Sequence, residues 1–290
     1  MGAAIRTILM FIVLSGLFVI IGWAVGSYFI GDWVIGTLVF LAISLAINGV
    51  SYFMSSKIVL WSYGAKLVQP AEAPKLYKAI QKVCLKSDMP LPRLAIVDTP
   101  TPNAFATGRN KNNAVVAVTT GILGLLSDDE LEGVLAHEMA HVKDRDILVM
   151  TIAATIVGAI SFASRMLFFS SMGGSNRRDS NGWLLIVVMV TVPIAALLIR
   201  LAISRSREYK ADREGAIFIQ RPRSLANALA KLEKGNTRNP LNRGNPASAS
   251  IFIVNPFRGA GMLSIFSTHP PVQSRIKKLE ELAQEKGFIG

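Results

Sequence analysis

Two histidines and a glutamate occur in the pattern His137-Glu138-x-x-His141 of this 290-residue chain. Residues four apart on a helix project from the same face, with Cβ atoms about 5–6 Å apart. Both neutral imidazoles can therefore reach one Zn²⁺ ion at about 2.0–2.1 Å. Glu138 projects about 100° further round the helix, so its carboxylate is directed at a water molecule beside the ion. Two of the chain's three histidines lie in this pattern, which makes chance a poor explanation. The alternative is a set of polar side chains on a solvated helix face.

A catalytic zinc site needs a third protein ligand and an open fourth position for water. The one cysteine, Cys84, falls on the apolar face of an amphipathic helix predicted over 72–86, so we do not expect it to bind metal. Glu208 is the better candidate, because it lies in a polar, helix-like stretch after the last apolar segment. Asp212, four residues on, can accept a hydrogen bond from the free ring nitrogen of a ligating histidine. The alternative is a surface helix whose acids pair with nearby basic residues.

Capping and periodicity predict the elements that hold these side chains. Ser127 and Glu130 form a predicted capping box at the start of the helix that carries the histidines. The apolar face of that helix continues toward Asp146, so we expect it to run directly into the next apolar stretch. Pro270-Pro271 predicts the start of a terminal helix over 272–286. Three short strand-like runs between turn-forming residues predict a small sheet: 94–97, 104–107 and 114–119.

The composition argues against a freely soluble protein, since 51% of the residues are hydrophobic and 17% are charged, against about 25% charged in soluble domains. There is no charged residue between Arg6 and Asp32, or between Asp32 and Lys57. Each stretch exceeds the roughly 20 residues that a membrane-spanning helix needs. We therefore expect a transmembrane hairpin that turns at Gly31-Asp32. The alternative for the first stretch is a cleaved signal peptide, whose apolar region is shorter, at about 7–15 residues.

Two further apolar stretches, 147–164 and 183–199, are near the lower length limit for a span. Each is either a third or fourth transmembrane helix or a buried or re-entrant helix. An even number of crossings is needed to bring Glu208 to the same side of the membrane as the histidines.

The net charge of +12 is distributed like a topology signal. Within about 15 residues of the membrane ends, ten Lys and Arg residues lie on one side and three on the other. This asymmetry predicts that the amino terminus and the large polar regions lie in the cytoplasm. We expect an integral, multi-pass protein of the cell or inner membrane. No basic run interleaved with aromatic residues is present, so we expect no nucleic-acid partner.

The order of four motifs carries a family resemblance. The chain resembles the HtpX-type integral-membrane zinc metalloendopeptidases, within the broader group that includes the CAAX prenyl proteases. The motifs are 102–108 (PNAFATG), 137–141, 204–212, and Thr268-His269-Pro270-Pro271 with Arg275.

The resemblance implies roles for individual residues. His137, His141 and Glu208 are implied as ligands of one zinc ion per chain, Glu138 as the catalytic base and Asp212 as a support for a ligand. It also implies a role in protein quality control and the stress response, in which misfolded or damaged membrane proteins are cut on the cytoplasmic side.

Two further roles are expected around this centre. His269 and Arg275 are candidates for stabilising the oxyanion, although His269 before Pro270 is equally consistent with local capping or packing. An extended peptide substrate is expected along a sheet edge, the alternative being an ordinary core strand. The residues expected at that edge are Asn103, Ala104, Phe105 and Ala106.

These observations predict a mainly α membrane protein, with helical transmembrane hairpins and an α+β zincin-like catalytic domain that contains a small sheet. The expected division of the chain has four parts. These are a transmembrane hairpin (1–56), the first part of the catalytic domain (57–146), two further apolar helices (147–200) and the second part of the catalytic domain (201–290).

The predicted function is hydrolysis of peptide bonds by a membrane-embedded zinc metalloendopeptidase, with unfolded membrane proteins as substrates and the lipid bilayer as partner. One alternative is a zinc-stabilised membrane scaffold or chaperone without turnover, although structural zinc sites are normally closed. Another is a transporter, which would need ionisable residues within its spans; the first two spans contain none.

Overall fold

The computed structural model describes residues 3–153, 156, 205–241, 251–256 and 270–288. Within them, helix α1 (Ala3–Val25), a short π-helical segment (Gly26–Ile30) and helix α2 (Trp33–Ser62) form the expected hairpin. Its turn lies where the sequence predicts it. Gly31 has a φ of 77°, and Asp32 caps α2 by accepting hydrogen bonds from the next turn's backbone amides at 2.8 and 3.1 Å.

Small residues let the two helices of the hairpin approach closely. A Cβ atom on Gly36 would lie 2.5 Å from Cα of Gly26, so a larger residue does not fit there. Ser15 Oγ accepts hydrogen bonds from Ser44 Oγ and Asn48 Nδ2, both at 3.0 Å. Among the described residues, α1 and α2 are the helices long and apolar enough to cross a membrane, and large apolar side chains are exposed along both.

The sheet has four strands in the order β1-β2-β4-β3. Strands β2 and β4 are parallel, and both edge strands run antiparallel to their neighbours. The three predicted runs are confirmed as strands, but β1 was missed because a three-residue, largely exposed strand shows no clear alternation. The strands are β1 (Lys66–Val68), β2 (Arg93–Val97), β3 (Ala104–Thr107) and β4 (Val115–Thr119).

Both faces of the sheet are covered, which explains why every residue of β4 is buried. One face packs on helices through residues such as Val116 and Val118. The other face packs on the end of α2, where Tyr63, Phe105 and Phe252 form a cluster of tilted and edge-on rings. The helices beside the sheet are α3 (Pro74–Ser87), α4 (Thr120–Leu125), α5 (Asp128–Lys143), α6 (Arg205–Ile219), α7 (Pro222–Arg238) and α8 (Val272–Lys286).

The expectation that α5 runs straight into the next apolar stretch is wrong. Helix α5 ends at Lys143, Arg145 has a φ of 58°, and residues 146–153 are helical again after this break. The described start of this stretch packs against α1, where Val149 and Ile152 join the first helix's apolar side chains. The rest of 147–164, apart from 156, and all of 183–199 lie outside the described residues.

Candidate metal centre

Helix α5 carries the two histidines into the interior. Its predicted capping box is present: Ser127 Oγ accepts from the Glu130 amide at 3.4 Å, and the Glu130 carboxylate accepts from the Ser127 amide at 2.9 Å. His137, Glu138 and His141 are each at most 4% exposed, so they do not lie on a solvated helix face.

Helix α6 crosses α5 closely because Gly215 has no side chain. A Cβ atom there would lie 2.7 Å from the backbone nitrogen of His137. Glu208 and Asp212, two turns and one turn earlier on α6, are thereby brought to the histidines, and both are 2% exposed. They therefore do not form a surface helix paired with solvated cations.

Glu208 lies between the two imidazoles. One of its carboxylate oxygens is 3.4 Å from His141 Nε2, and the other is 3.9 Å from His137 Nε2. The ligand atoms of the three residues all lie within 4.8 Å of one another. Two donors that each bind one ion at about 2.1 Å are at most about 4.2 Å apart, so small side-chain adjustments bring the set onto a single ion. Two imidazoles and a carboxylate are a donor set that suits zinc.

A carboxylate and an arginine lie behind His137. Its Nδ1 is 2.9 Å from Asp212 Oδ1, as expected for a residue that supports a ligand. Arg275 donates two hydrogen bonds to Asp212, at 2.8 and 2.6 Å, and a third to the Ile253 carbonyl oxygen at 2.7 Å. The Arg275 side chain is fully buried. The other candidate for oxyanion stabilisation, His269, lies outside the described residues.

A second carboxylate, which the sequence did not indicate, lies behind His141. Asp146 is 3.7 Å from His141 Nδ1, a buried atom that has no hydrogen bond among the described residues. Arg207 donates to Asp146 at 2.6 Å, and Arg6 of α1 lies 3.7 Å from the same oxygen. In the sequence Asp146 looks like a charge that bounds an apolar stretch. The helix break after Lys143 turns it toward the histidine, and periodicity does not reveal that break.

Glu138 lies against the edge strand β3, where the backbone amide of Ala106 hydrogen-bonds its carboxylate. Burial raises the pKa of Glu138 to about 7, with the Glu208 carboxylate adding to the rise and His141 opposing it. A pKa near neutrality suits a group that must accept a proton and later release it.

Burial and neighbouring charges set the protonation of the other groups. Burial lowers the pKa of His137 to about 4, although Asp212 acts to raise it. The low pKa favours the neutral imidazole that metal binding requires. For His141, the carboxylates of Glu208 and Asp146 outweigh burial and raise the pKa to about 10, so a metal ion that binds there must displace a proton. Burial likewise disfavours the charged form of Asp212, but Arg275 outweighs it and holds the pKa at about 2.

Strand β3, along which we expect the substrate, lies at an edge of the sheet and pairs with β4 on one side. Part of its other side is covered: the Ala104 carbonyl oxygen accepts from the Ile253 amide at 3.2 Å, and Asn103 Nδ2 donates to the Val254 carbonyl oxygen at 2.6 Å. Phe105 points into the aromatic cluster on the opposite face of the sheet. Of the four residues expected to bind peptide, Ala106 is the one whose backbone reaches Glu138.

Comparisons with known proteins identify the family. Residues 70–283 match the model of peptidase family M48. Curated relatives described as "Protease HtpX homolog" include one from Thermococcus sibiricus, 45% identical with 99% of each chain covered. One from Pyrococcus furiosus is 47% identical with 99% of each chain covered. A third, from Methanocaldococcus jannaschii, is 49% identical over 86% of this chain and 89% of its own.

A solved structure is also similar, the crystal structure of S. mikatae Ste24p. The match covers 96% of this chain and 65% of that one, with 17% identity and a TM-score of 0.49. This chain thus spans just under two thirds of the length of Ste24p.

Proposed function

The chain belongs to peptidase family M48 and is a membrane metallopeptidase, and we propose that it hydrolyses peptide bonds with one zinc ion held by His137, His141 and Glu208. The observation that carries the proposal is the convergence of two buried imidazole Nε2 atoms on one buried carboxylate. When bound, zinc supplies a Lewis acid that polarises a peptide carbonyl and lowers the pKa of water to about 7.

Glu138 is the general base of the proposed reaction. Its carboxylate accepts a proton from the attacking water and delivers it to the leaving amine. The Ala106 amide holds this carboxylate in place, and burial tunes its pKa to about 7. Because this amide belongs to β3, the same strand would position both the base and a peptide that pairs with it.

Two pairs of residues orient the ligating histidines. Asp212 with Arg275, and Asp146 with Arg207, lie on the Nδ1 side of His137 and His141 respectively, which would leave each Nε2 free to bind the ion. The guanidinium of Arg275 already donates hydrogen bonds to Asp212 and to the Ile253 carbonyl oxygen. Of the two oxyanion candidates, this leaves His269 as the one we propose.

Unfolded or damaged membrane proteins are the proposed substrates, cut on the cytoplasmic side. Glu138 and the proposed ligands are buried, which favours a substrate that can enter as an extended segment rather than as a folded domain. Backbone hydrogen bonds to β3 would give affinity with little dependence on sequence. The excess of Lys and Arg on one side of the apolar stretches supports a cytoplasmic catalytic region in a multi-pass protein.

Replacing the base tests this function. We expect Glu138→Gln to retain zinc and to cleave unfolded casein about 10²–10⁴-fold more slowly than the wild type, because proton transfer contributes about that much. Zinc content and casein cleavage are measured on both proteins purified in detergent. Glu280→Gln, which removes a carboxylate from a solvent-exposed ion pair on α8, is the control and should behave as wild type. Undiminished cleavage by Glu138→Gln would exclude the proposed role.

A further inference from the structure

A cavity outside the metal centre lies where α2 leaves its uncharged stretch. Lys57 is the first charged residue after Asp32, and α2 continues for about a turn beyond it to Ser62. The cavity has a volume of about 330 Å³, and its lining includes Phe53, Lys57, Arg93 and Arg109. None of the proposed metal ligands lines it.

Three cations from three separate elements meet at this cavity. Lys57 comes from α2, Arg93 from the start of β2 and Arg109 from the loop after β3. Among the described residues, no carboxylate lines the cavity and none of the three cations has an ion-pair partner. Elsewhere on the surface, cations such as Lys75, Lys231 and Arg223 do face carboxylates. Three like charges around one cavity favour the binding of an anion there.

The loop that carries Arg109 is held in a defined shape. Gly108 has a φ of 140°, and a Cβ atom there would lie 2.6 Å from the Asn113 carbonyl oxygen, so the loop closes tightly on itself. Asn110 Oδ1 accepts hydrogen bonds from the Asn112 and Asn113 amides at 3.1 and 3.0 Å. The Arg109 guanidinium lies 5.7 Å from the centroid of the Phe53 ring. The positive charge is therefore presented next to an aromatic ring of the membrane helix.

The cavity is continuous with an apolar surface. Phe53 is 64% exposed, and Met54 beside it is 46% exposed. On the amino-terminal side of this turn, α2 exposes further apolar residues, Leu45 and Val50 among them. A ligand that fills the cavity and covers this surface has an anionic head and apolar tails.

We propose that Lys57, Arg93 and Arg109 bind the phosphate group of an anionic phospholipid from the leaflet that α2 exits, with its acyl chains beside Phe53. Juxtamembrane Lys and Arg residues attract anionic lipids. Ser56 and Asn113, which also line the cavity, can add neutral hydrogen bonds to the headgroup. This proposal does not depend on the peptidase reaction or on which substrates the protein cleaves.

Lipid retention tests this site. Full-length protein is delipidated in detergent and given an equimolar mixture of phosphatidylglycerol and phosphatidylcholine with identical acyl chains, and bound lipids are counted by native mass spectrometry. We expect the wild type to prefer phosphatidylglycerol by about tenfold or more. The triple variant Lys57→Gln/Arg93→Gln/Arg109→Gln should lose this preference, and Lys57→Arg/Arg93→Lys/Arg109→Lys should keep it. Equal retention of both lipids by the wild type would overturn the proposal.

Two controls separate this site from general electrostatics and from a soluble phosphate. Lys234→Gln/Lys277→Gln/Lys286→Gln removes the same charge from exposed positions on α7 and α8, and should leave the preference intact. The same loss in both glutamine triples would reject a defined site. Glycerol 3-phosphate at the concentration of the lipid should not displace phosphatidylglycerol. Displacement at that concentration would assign the cavity to a soluble phosphate.

Discussion

At the scale of single residues, the centre is built from two matching sets. In each, an imidazole has Nε2 toward Glu208 and Nδ1 toward an aspartate, and that aspartate accepts a hydrogen bond from an arginine. A carboxylate on Nδ1 fixes the ring orientation and the tautomer, and makes Nε2 a stronger ligand. We expect Asp212 to support His137 through a contact of 2.9 Å, and Asp146 to support His141 through its charge, 3.7 Å from Nδ1.

Replacing Asp146 tests whether this carboxylate supports His141. We expect Asp146→Asn to weaken zinc binding about 10–100-fold, because His141 loses the charge that orients it. The measurement is the zinc dissociation constant, obtained by competition with a chromophoric chelator. Asp144→Asn is the matched control. Asp144 lies two residues before Asp146 and pairs with Lys210 at the surface. An unchanged zinc affinity in Asp146→Asn, or an equal loss in Asp144→Asn, would contradict the role.

The sequence was sufficient to predict residue types at this scale but not every partner. The spacing of His137 and His141 predicts a shared face, and α5 presents both on one. Glu208 and Asp212 follow the same i, i+4 rule on α6. Asp146 was missed because its contact with His141 depends on the left-handed conformation of Arg145, which no periodic pattern indicates.

At the scale of elements, the centre depends on how closely α6 crosses α5. Gly215 allows this approach, because any side chain there would collide with the backbone of Ala136 and His137. Helix α6 supplies Glu208 and Asp212, so a shift of this helix moves one proposed ligand and one support together. The crossing is fixed by backbone packing, without any contribution from Gly215 to the chemistry.

Enlarging this glycine should therefore weaken the centre by displacing the backbones that carry its ligands. We expect Gly215→Ala to lower zinc affinity and casein cleavage by at least tenfold, since overpacking shifts backbones at a typical cost of about 1–3 kcal/mol. Both quantities are measured beside Gly124→Ala. A Cβ atom on Gly124 meets nothing within 4 Å, so this control should bind zinc and cleave as the wild type does. Normal zinc binding in Gly215→Ala would show that the close crossing is not required.

Elements with strong local signals were predictable, whereas those defined by tertiary contacts were not. The capping box fixed the start of α5, and the sequence placed the terminal helix at Val272–Lys286, as observed. Strand β1 was missed because three residues carry too little pattern. The segment that covers Ala104 was also unforeseen, because its hydrogen bonds join residues about 150 positions apart.

At the scale of the whole molecule, the hairpin has the features of a membrane anchor joined to the catalytic region. Trp23 and Trp33 are 53% and 57% exposed near its turn, and Trp61 is 84% exposed at its other end. Exposed tryptophan at both ends is typical of helices that reach both membrane interfaces. Near the metal centre Arg6 of α1 approaches Asp146, and Tyr63 beyond α2 packs on the sheet, so the anchor and the catalytic region share contacts.

Cysteine labelling tests the proposed topology. Cys84 is buried, and burial raises its thiol pKa to about 11, so the native cysteine should react slowly near neutral pH. We expect a membrane-impermeant maleimide to label Ile30→Cys, at the hairpin turn, in intact cells. Glu281→Cys, at an exposed position of α8, should be labelled after the membrane is permeabilised. Labelling of Glu281→Cys in intact cells would contradict a cytoplasmic catalytic region.

The convergence of three side chains on one ion is tested most directly by anomalous X-ray scattering from crystals of the zinc-loaded protein, recorded above and below the zinc absorption edge. We expect a single anomalous peak about 2.0–2.2 Å from Nε2 of His137, Nε2 of His141 and one carboxylate oxygen of Glu208. A crystal with bound zinc elsewhere and no peak among these three residues would contradict the account.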